Sequence, residues 1–180
     1  MKILIVSDSH GVSDNVLRAI DKTNPDHFIH LGDIEDDPEE IIKHFSSPIL
    51  PRIFIKGNCD YGGRESLWKN AVFDLNGHRF YCCHGHSEKV NYGLATLALT
   101  CAEERCDIAL FGHTHVPFDS SGLAVKNPPY YEEDNFSSFN PGLRILNPGS
   151  ITLPRGGYPK GYMVMDMESD GRYKVAYHTL

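Results

Sequence analysis

The sequence predicts an α/β domain in which helices flank two β-sheets. Three observations lead there: aliphatic runs alternating with helical periodicity early in the chain, an Asn-Gly hairpin signal in the middle, and strand-like runs toward the end. Lys2 to Val6 is an aliphatic run that breaks off at Ser7-Asp8-Ser9-His10-Gly11, as a buried strand feeding a loop does. Val16, Leu17, Ala19 and Ile20 then share one helical face, behind a cap at Ser13 or Asp14 and before a stop at Asn24-Pro25. His27 to Leu31 is a second strand leading to Gly32-Asp33, about Pro38 to Phe45 a second helix, and Arg52 to Lys56 a third strand ending at Gly57-Asn58-Cys59-Asp60. Such β-α-β-α-β order requires parallel pairing through right-handed crossovers.

Asn76-Gly77 then lies between two strand-like runs, Phe73 to Leu75 and His78 to Phe80, and marks a tight antiparallel hairpin. From Val90, the residues Val90, Leu94, Leu97, Ala98 and Cys101 recur at helical spacing, and Asp107 to Phe111 is a buried strand ending at Gly112-His113-Thr114-His115. Leu143 to Leu146, Gly161 to Asp166 and Tyr173 to His178 complete the strands, the last two joined by a turn at Ser169-Asp170-Gly171. The 180 residues form one domain, with an insertion loop at about 119–143 in which Leu123 to Val125 is a candidate short strand.

Composition narrows the function. With 41% apolar and 23% charged residues the chain has an ordinary globular core, and 17 bases against 24 acids leave a net charge of −7. That sign disfavours a nucleic-acid coat or an anionic membrane surface. The five cysteines contain no C-x-x-C pair, so neither a disulfide framework nor a zinc knuckle follows, and the metal-capable run Cys82-Cys83-His84-Gly85-His86 lacks the companion pair that a structural zinc site needs. A reducing cytoplasm fits this usage, and the first apolar run is too short for a signal-peptide core or a membrane span.

The chemistry gathers after the strands. Asp8 and His10, Asp33, Asn58, His84, and His113 with His115 all stand at strand-to-loop junctions. Groups placed there converge even when far apart in sequence, because ligands of open α/β sheets bind beyond the carboxyl ends of the strands. Seven candidates exceed the four that one tetrahedral zinc takes, and suit two metals. Imidazole, carboxylate and amide oxygen without thiolate favour Mn²⁺, Fe²⁺, Zn²⁺ or Ni²⁺. Asp33, alone after a central strand, is the natural bridge. His27, His44, His78 and His178 receive no role, and His30 reads as a buried structural residue. The acids Glu35 to Glu40 are what a helix start prefers, with Asp37 as cap and Pro38 in the first turn.

Asp8-Ser9-His10, Gly32-Asp33, Gly57-Asn58-Cys59-Asp60, His84-Gly85-His86 and Gly112-His113-Thr114-His115 together resemble the ordered motifs of the calcineurin-like metallophosphoesterase superfamily. The short length, Gly-Asn-Cys-Asp and Asn147-Pro148-Gly149-Ser150 are similar to its small YfcE-like phosphodiesterase branch. The resemblance implies a four-layer α-β-β-α sandwich of two mixed sheets and a phosphodiesterase acting on a small phosphate ester. Asp8, His10, Asp33 and His115 would hold one divalent ion, Mn²⁺ first among the candidates, and Asp33, Asn58, His84 and His113 the other. A hydroxide between them would attack phosphorus in line, with Asp33, Asn58 and His84 as the catalytic set.

Many members of the superfamily carry His where this chain has Cys59, so the group that protonates the leaving oxygen is unassigned; His86 is one candidate, and it and Asp60 are also candidate orienters. Two alternatives stand beside the enzyme: a scaffold that uses the same fold for protein interaction, as a eukaryotic vesicle-sorting subunit does, and a protein phosphatase. Tyr130, Tyr131 and Phe136 are candidates to cap the site or to line a contact between copies of the chain.

Overall fold

The computed structural model describes residues 1–36, 38–45, 50–61, 66–126, 138 and 140–180. In chain order its elements are β1 (Lys2–Val6), α1 (Ser13–Thr23), β2 (His27–His30), α2 (Pro38–His44), β3 (Arg52–Phe54), β4 (Asn70–Leu75) and β5 (His78–Cys83). There follow α3 (Ala95–Glu103), β6 (Ile108–Leu110), β7 (Pro117–Asp119), β8 (Arg144–Pro148), β9 (Gly161–Met167) and β10 (Tyr173–Thr179). They form two five-stranded sheets, β10-β9-β1-β2-β3 and β4-β5-β6-β8-β7. Both are mixed: β1, β2 and β3 are parallel, as are β5, β6 and β8, while β9, β10, β4 and β7 run antiparallel to their neighbours.

Strand alternation explains why the sheets stack. Ile3 and Ile5 point between the sheets with Ile29, Met163 and Met165, against Phe80, Cys82, Ile108, Leu110 and Leu146 of the second sheet. Their neighbours Leu4 and Val6 face outward under Val16, Ala19 and Ile20 of α1 and Ile41 of α2. On the far side, Tyr81, Cys83, Ala109 and Ile145 pack beneath Leu97, Ala98 and Cys101 of α3. Each fully buried side chain of this size contributes roughly 1.5–3 kcal/mol. The result is the expected four-layer α-β-β-α sandwich. Cys82 and Cys83 lie in different layers of its core, which removes them from any zinc knuckle.

Local departures have local causes. The helix expected from Val90 begins as a separate 3₁₀ turn, Val90–Tyr92, and is broken at Gly93, whose φ is 136°. Leu123 to Val125 is not a strand but part of a bend, because the Asp119 carboxylate takes the backbone N–H groups of Ser121 and Ala124 at 3.0 and 2.8 Å. The strand there is Pro117–Asp119 instead. The hairpin holds: Asn76 and Gly77 both have positive φ, 47° and 83°, as a two-residue turn of that type demands. Asp37, and the part of the insertion that contains Tyr130, Tyr131, Glu132 to Asp134 and Phe136, lie outside the described residues.

At the amino ends of the parallel strands, His78 joins the two sheets. Its Nδ1 meets Asp107 Oδ2 at 2.5 Å and its Nε2 donates to Gly171 O, in the β9–β10 turn, at 2.8 Å. Burial alone would lower this imidazole's pKa, but the Asp107 carboxylate and the Gly171 carbonyl outweigh burial and raise it. A histidine raised on folding stabilises the native state fully below its unfolded pKa of about 6.5, and that stabilisation is lost as pH rises through the higher folded value. The melting temperature should therefore fall more between pH 6 and pH 9 in the wild-type chain than in His78→Gln; equal falls in thermal melts would contradict the assignment.

Candidate metal centre

The opposite ends of the same strands carry the candidate ligands. Asp8 and His10 follow β1, Asp33 follows β2, Asn58 follows β3, His84 follows β5, and His113 and His115 follow β6. Of the ten non-glycine residues with positive φ among the described residues, six stand in these loops: Asp8, His10, Asp33, Glu35, His113 and His115. Left-handed backbone at non-glycine residues is costly and collects at functional sites. Here it turns the chain sharply at the ends of β1, β2 and β6, so that the side chains of these three loops face those of the loops after β3 and β5.

Close approach is secured by glycine. A Cβ on Gly57 would collide with the Asp33 carboxylate and backbone, and one on Gly112 with the Ser7 hydroxyl. Neither residue is turn punctuation; each leaves room for the neighbouring loop. Asp60 then ties two loops together. Its buried carboxylate accepts N–H bonds from Asp33 (2.9 Å), Ile34 (2.9 Å), Glu35 (2.8 Å) and Gly57 (2.8 Å). His30 is fully buried and joins another pair of loops: Gly32 N–H donates to its Nδ1 at 3.2 Å and its Nε2 meets Ser9 Oγ at 3.0 Å. Burial pushes its pKa down to about 4, so it is a neutral tether, and with both ring nitrogens engaged it offers none to a metal. Asn147 Nδ2 donates to Gly112 O at 2.9 Å, and Ser150 Oγ to Asp8 O at 2.7 Å.

The donor atoms of Asp8, His10, Asp33 and His115 all lie within 4.8 Å of one another. Nε2 of His10 and Nε2 of His115 face each other at 3.2 Å. Asp33 Oδ2 lies 4.0 Å from His10 Nε2 and 3.3 Å from His84 Nε2, between the two expected ligand sets. On the second side Asn58 Oδ1 is 3.1 Å from His84 Nε2. His113 is less closely drawn in. Its ring centroid is 5.1 Å from that of His84, its backbone N–H donates to Asp8 Oδ2 at 3.2 Å, and its Nε2 is turned toward Asn91 at 2.9 Å. His27, His44, His78 and His178 have their contacts elsewhere, and a cavity of about 600 Å³ around His78 and Tyr173 contains none of the seven.

The electrostatics call for a cation. Burial alone would raise the carboxyls of Asp8 and Asp33, yet contact with His115 and His84 outweighs it for Asp8, and contact with His84 and the Cys59 N–H for Asp33, so both are held below the usual carboxylate value. Two buried anions therefore share one small space. Asp8 Oδ1 has His115 Nε2 as its ionic neighbour at 3.3 Å but meets no donor in hydrogen-bond geometry. Inward-facing imidazole nitrogens, an amide oxygen and an unbonded carboxylate oxygen fit divalent ions of intermediate hardness.

Two further residues join the site. Glu35 lies among the acids expected at a helix start, but α2 begins at Pro38 and Glu35 Oε1 instead meets His10 Nδ1 at 2.5 Å. Its position two residues after Asp33, the spacing that pairs Asp8 with His10, was the available signal. Asn91 carried no signal in a single sequence. His86 lies at the rim, its ring 5.4 Å from His84 and 6.2 Å from His113.

Residues 1–170 match the model of the calcineurin-like phosphoesterase superfamily domain. The chain is 29% identical over 174 residues to the probable metallophosphoesterase YsnB of Bacillus subtilis, covering 94% of this chain and 86% of that one. It is 24% identical over 188 residues to the phosphodiesterase YfcE of Escherichia coli, covering 92% and 88%. A crystal structure of a conserved predicted phosphoesterase from Streptococcus pneumoniae superposes with a TM-score of 0.74 at 28% identity, over 99% of this chain and 88% of that one.

Asp60→Asn replaces one acceptor oxygen by an NH₂ group facing buried N–H donors. Urea denaturation should show a loss of roughly 2–4 kcal/mol, whereas an unchanged midpoint would mean that the Asp33 and Asn58 loops are held by other contacts.

Proposed function

This chain belongs to the calcineurin-like phosphoesterase superfamily, and from that premise we propose that it is a phosphodiesterase acting on a small phosphate ester at a dinuclear centre. Asp8, His10, Asp33 and His115 would hold one ion, and Asp33, Asn58, His84 and His113 the other, with Mn²⁺ the first candidate. The observation that carries this reading is the placement of Asp33 Oδ2 between His10 and His84, beside the unbonded Asp8 Oδ1. Two such ions would supply charge neutralisation to a phosphoryl group and lower the pKa of a bound water.

The chain's own residues do the positioning. Cys59 N–H donates to Asp33 Oδ1 at 2.8 Å, leaving Oδ2 to face the imidazoles. His84 is fixed from behind by Leu31 O, to which Nδ1–H donates at 2.7 Å, and so presents Nε2 beside Asn58. Val12, Tyr61, Tyr92 and Leu153 are exposed large apolar residues, each within a few residues in sequence of a ligand or of a group touching one. No helix among the described residues is long and apolar enough to cross a membrane. Four of the five cysteines are buried and all five are free thiols, which supports our placing the protein in a reducing cytoplasm.

Leaving-group protonation is the weak step. Burial and the nearby Asp33, Glu35 and Asp60 carboxylates push the Cys59 thiol up to about 12, which makes it a poor proton donor to an alkoxide. His86 is lowered by burial and by His84, so it stands mostly neutral at pH 7. Esters that need no protonation on departure, such as aryl diesters, are therefore the better substrates. Cys59→His should raise kcat/KM on an alkyl diester by at least roughly tenfold while changing the aryl diester little; equal effects on both would remove Cys59 as the limitation.

The direct test is Mn²⁺-dependent hydrolysis of bis-p-nitrophenyl phosphate. We expect activity that chelator abolishes and that Asn58→Ala or His84→Ala lowers at least roughly 100-fold. A chain that neither binds Mn²⁺ nor hydrolyses the diester, while retaining a protein partner through both substitutions, would be a scaffold.

A further inference from the structure

A neutral imidazole offers one nitrogen to a cation while the other carries a proton that needs an acceptor. Whatever touches the outer nitrogen decides which is which. For His84 and His115 the partner is backbone: Nδ1–H of each donates to a carbonyl, Leu31 O and Leu153 O, both at 2.7 Å. Their Nε2 atoms are consequently the ones that face Asp33 and Asp8, each at 3.3 Å.

His10 and His113 meet side chains instead, and in opposite senses. His10 turns Nδ1 to Glu35 Oε1 at 2.5 Å and Nε2 to the cluster. His113 turns Nε2 to the Asn91 amide at 2.9 Å, which leaves Nδ1 as the nitrogen that amide does not engage. We propose that Glu35 and Asn91 are positioning residues that set the tautomers of these two rings, assigning Nε2 of His10 to one ion and Nδ1 of His113 to the other. This assignment rests on the dinuclear reading above.

Glu35 is held for the task. Its backbone is left-handed, with φ 58°, and its N–H donates to Asp60 Oδ1 at 2.8 Å. The carboxylate that places Asp33 thus also places Glu35. Its side chain is 39% exposed, a setting in which an ion pair adds little stability; its consequence is orientation. An ionised carboxylate only accepts, so it admits only the tautomer with the proton on Nδ1.

Asn91 works differently, because an amide both donates and accepts. With Nδ2 toward His113 the ring's Nε2 accepts. A half-turn of the amide puts Oδ1 there to accept Nε2–H, the arrangement that a cation at Nδ1 requires. Asn91 sits in the 3₁₀ turn Val90–Tyr92, and Val90 of that turn packs against Gly85, where a Cβ would meet Val90 Cγ2 at 2.9 Å. The turn is therefore seated on the residue that follows His84. One ion would depend on each clamp.

Calorimetric titration with Mn²⁺ and ¹⁵N-imidazole NMR of the protein without added metal test this together. The wild-type chain should bind two Mn²⁺. Glu35→Ala should weaken one binding step about 10–100-fold and Asn91→Ala the other, each leaving its companion step within about threefold. Glu35→Gln and Asn91→Asp retain an acceptor and should recover most of the affinity. By NMR, His10 should carry its proton on Nδ1 in the wild type and lose that preference in Glu35→Ala.

Wild-type affinities in both alanine variants, or an unchanged His10 tautomer in Glu35→Ala, would overturn the assignment. If the wild-type chain bound no Mn²⁺, the dinuclear reading would fall, and the His10 tautomer would still decide the role of Glu35. Both side chains are at the surface, and melting curves confirm that the variants fold.

Discussion

One carboxylate holds the site's geometry. Asp60 accepts four backbone N–H bonds, three from the loop after β2 and one from the loop after β3. Bonds to a charged acceptor are worth about 1.5–3 kcal/mol each, and those from Asp33, Ile34 and Gly57 are buried. Through them the positions of Asp33, Glu35 and Asn58 become a single unit. Gly57 completes the clasp by leaving the Asp33 carboxylate its space.

From that clasp the rest of the centre follows. Asp33 is presented with one oxygen bonded to the Cys59 N–H and the other turned to His84 and His10. His30 and Ser9 carry the connection to the Asp8 loop, and Ser150 and Asn147 brace Asp8 and the His113 loop from the C-terminal part of the chain. The strained backbone at six residues is maintained by this surrounding structure, since each alone would relax. Rigid placement of anions and imidazoles at fixed separation is what a charge-stabilising catalyst requires, because the donors need no reorganisation as charge develops.

Much of this was legible in the residues. Ile3 and Ile5 against Leu4 and Val6 announce a strand buried on both faces, and Asn76-Gly77 announces its hairpin, because period and turn chemistry are local properties. The seven ligand candidates were legible because each follows a strand, and strand ends converge. Glu35 and Asn91 were not, and Asp60 was legible only as a candidate orienter. Asp60 acts on backbone N–H groups that every residue has, Glu35 has its spacing from Asp33 masked by the acids of the helix start beside it, and Asn91 meets His113 from 22 residues away in the chain. The expected strand at Leu123 to Val125 failed for a similar reason: Leu123 N–H goes to Ser121 Oγ and Ala124 N–H to the Asp119 carboxylate, a choice that the position of Asp119 makes.

Asp33 is proposed to stand between two cations. Anomalous diffraction at the manganese edge, from crystals grown with Mn²⁺, tests it most directly. Two peaks are predicted, both within bonding reach of the Asp33 carboxylate, one beside Asp8, His10 and His115 and the other beside Asn58, His84 and His113. A single peak, or none at Asp33, would contradict the account.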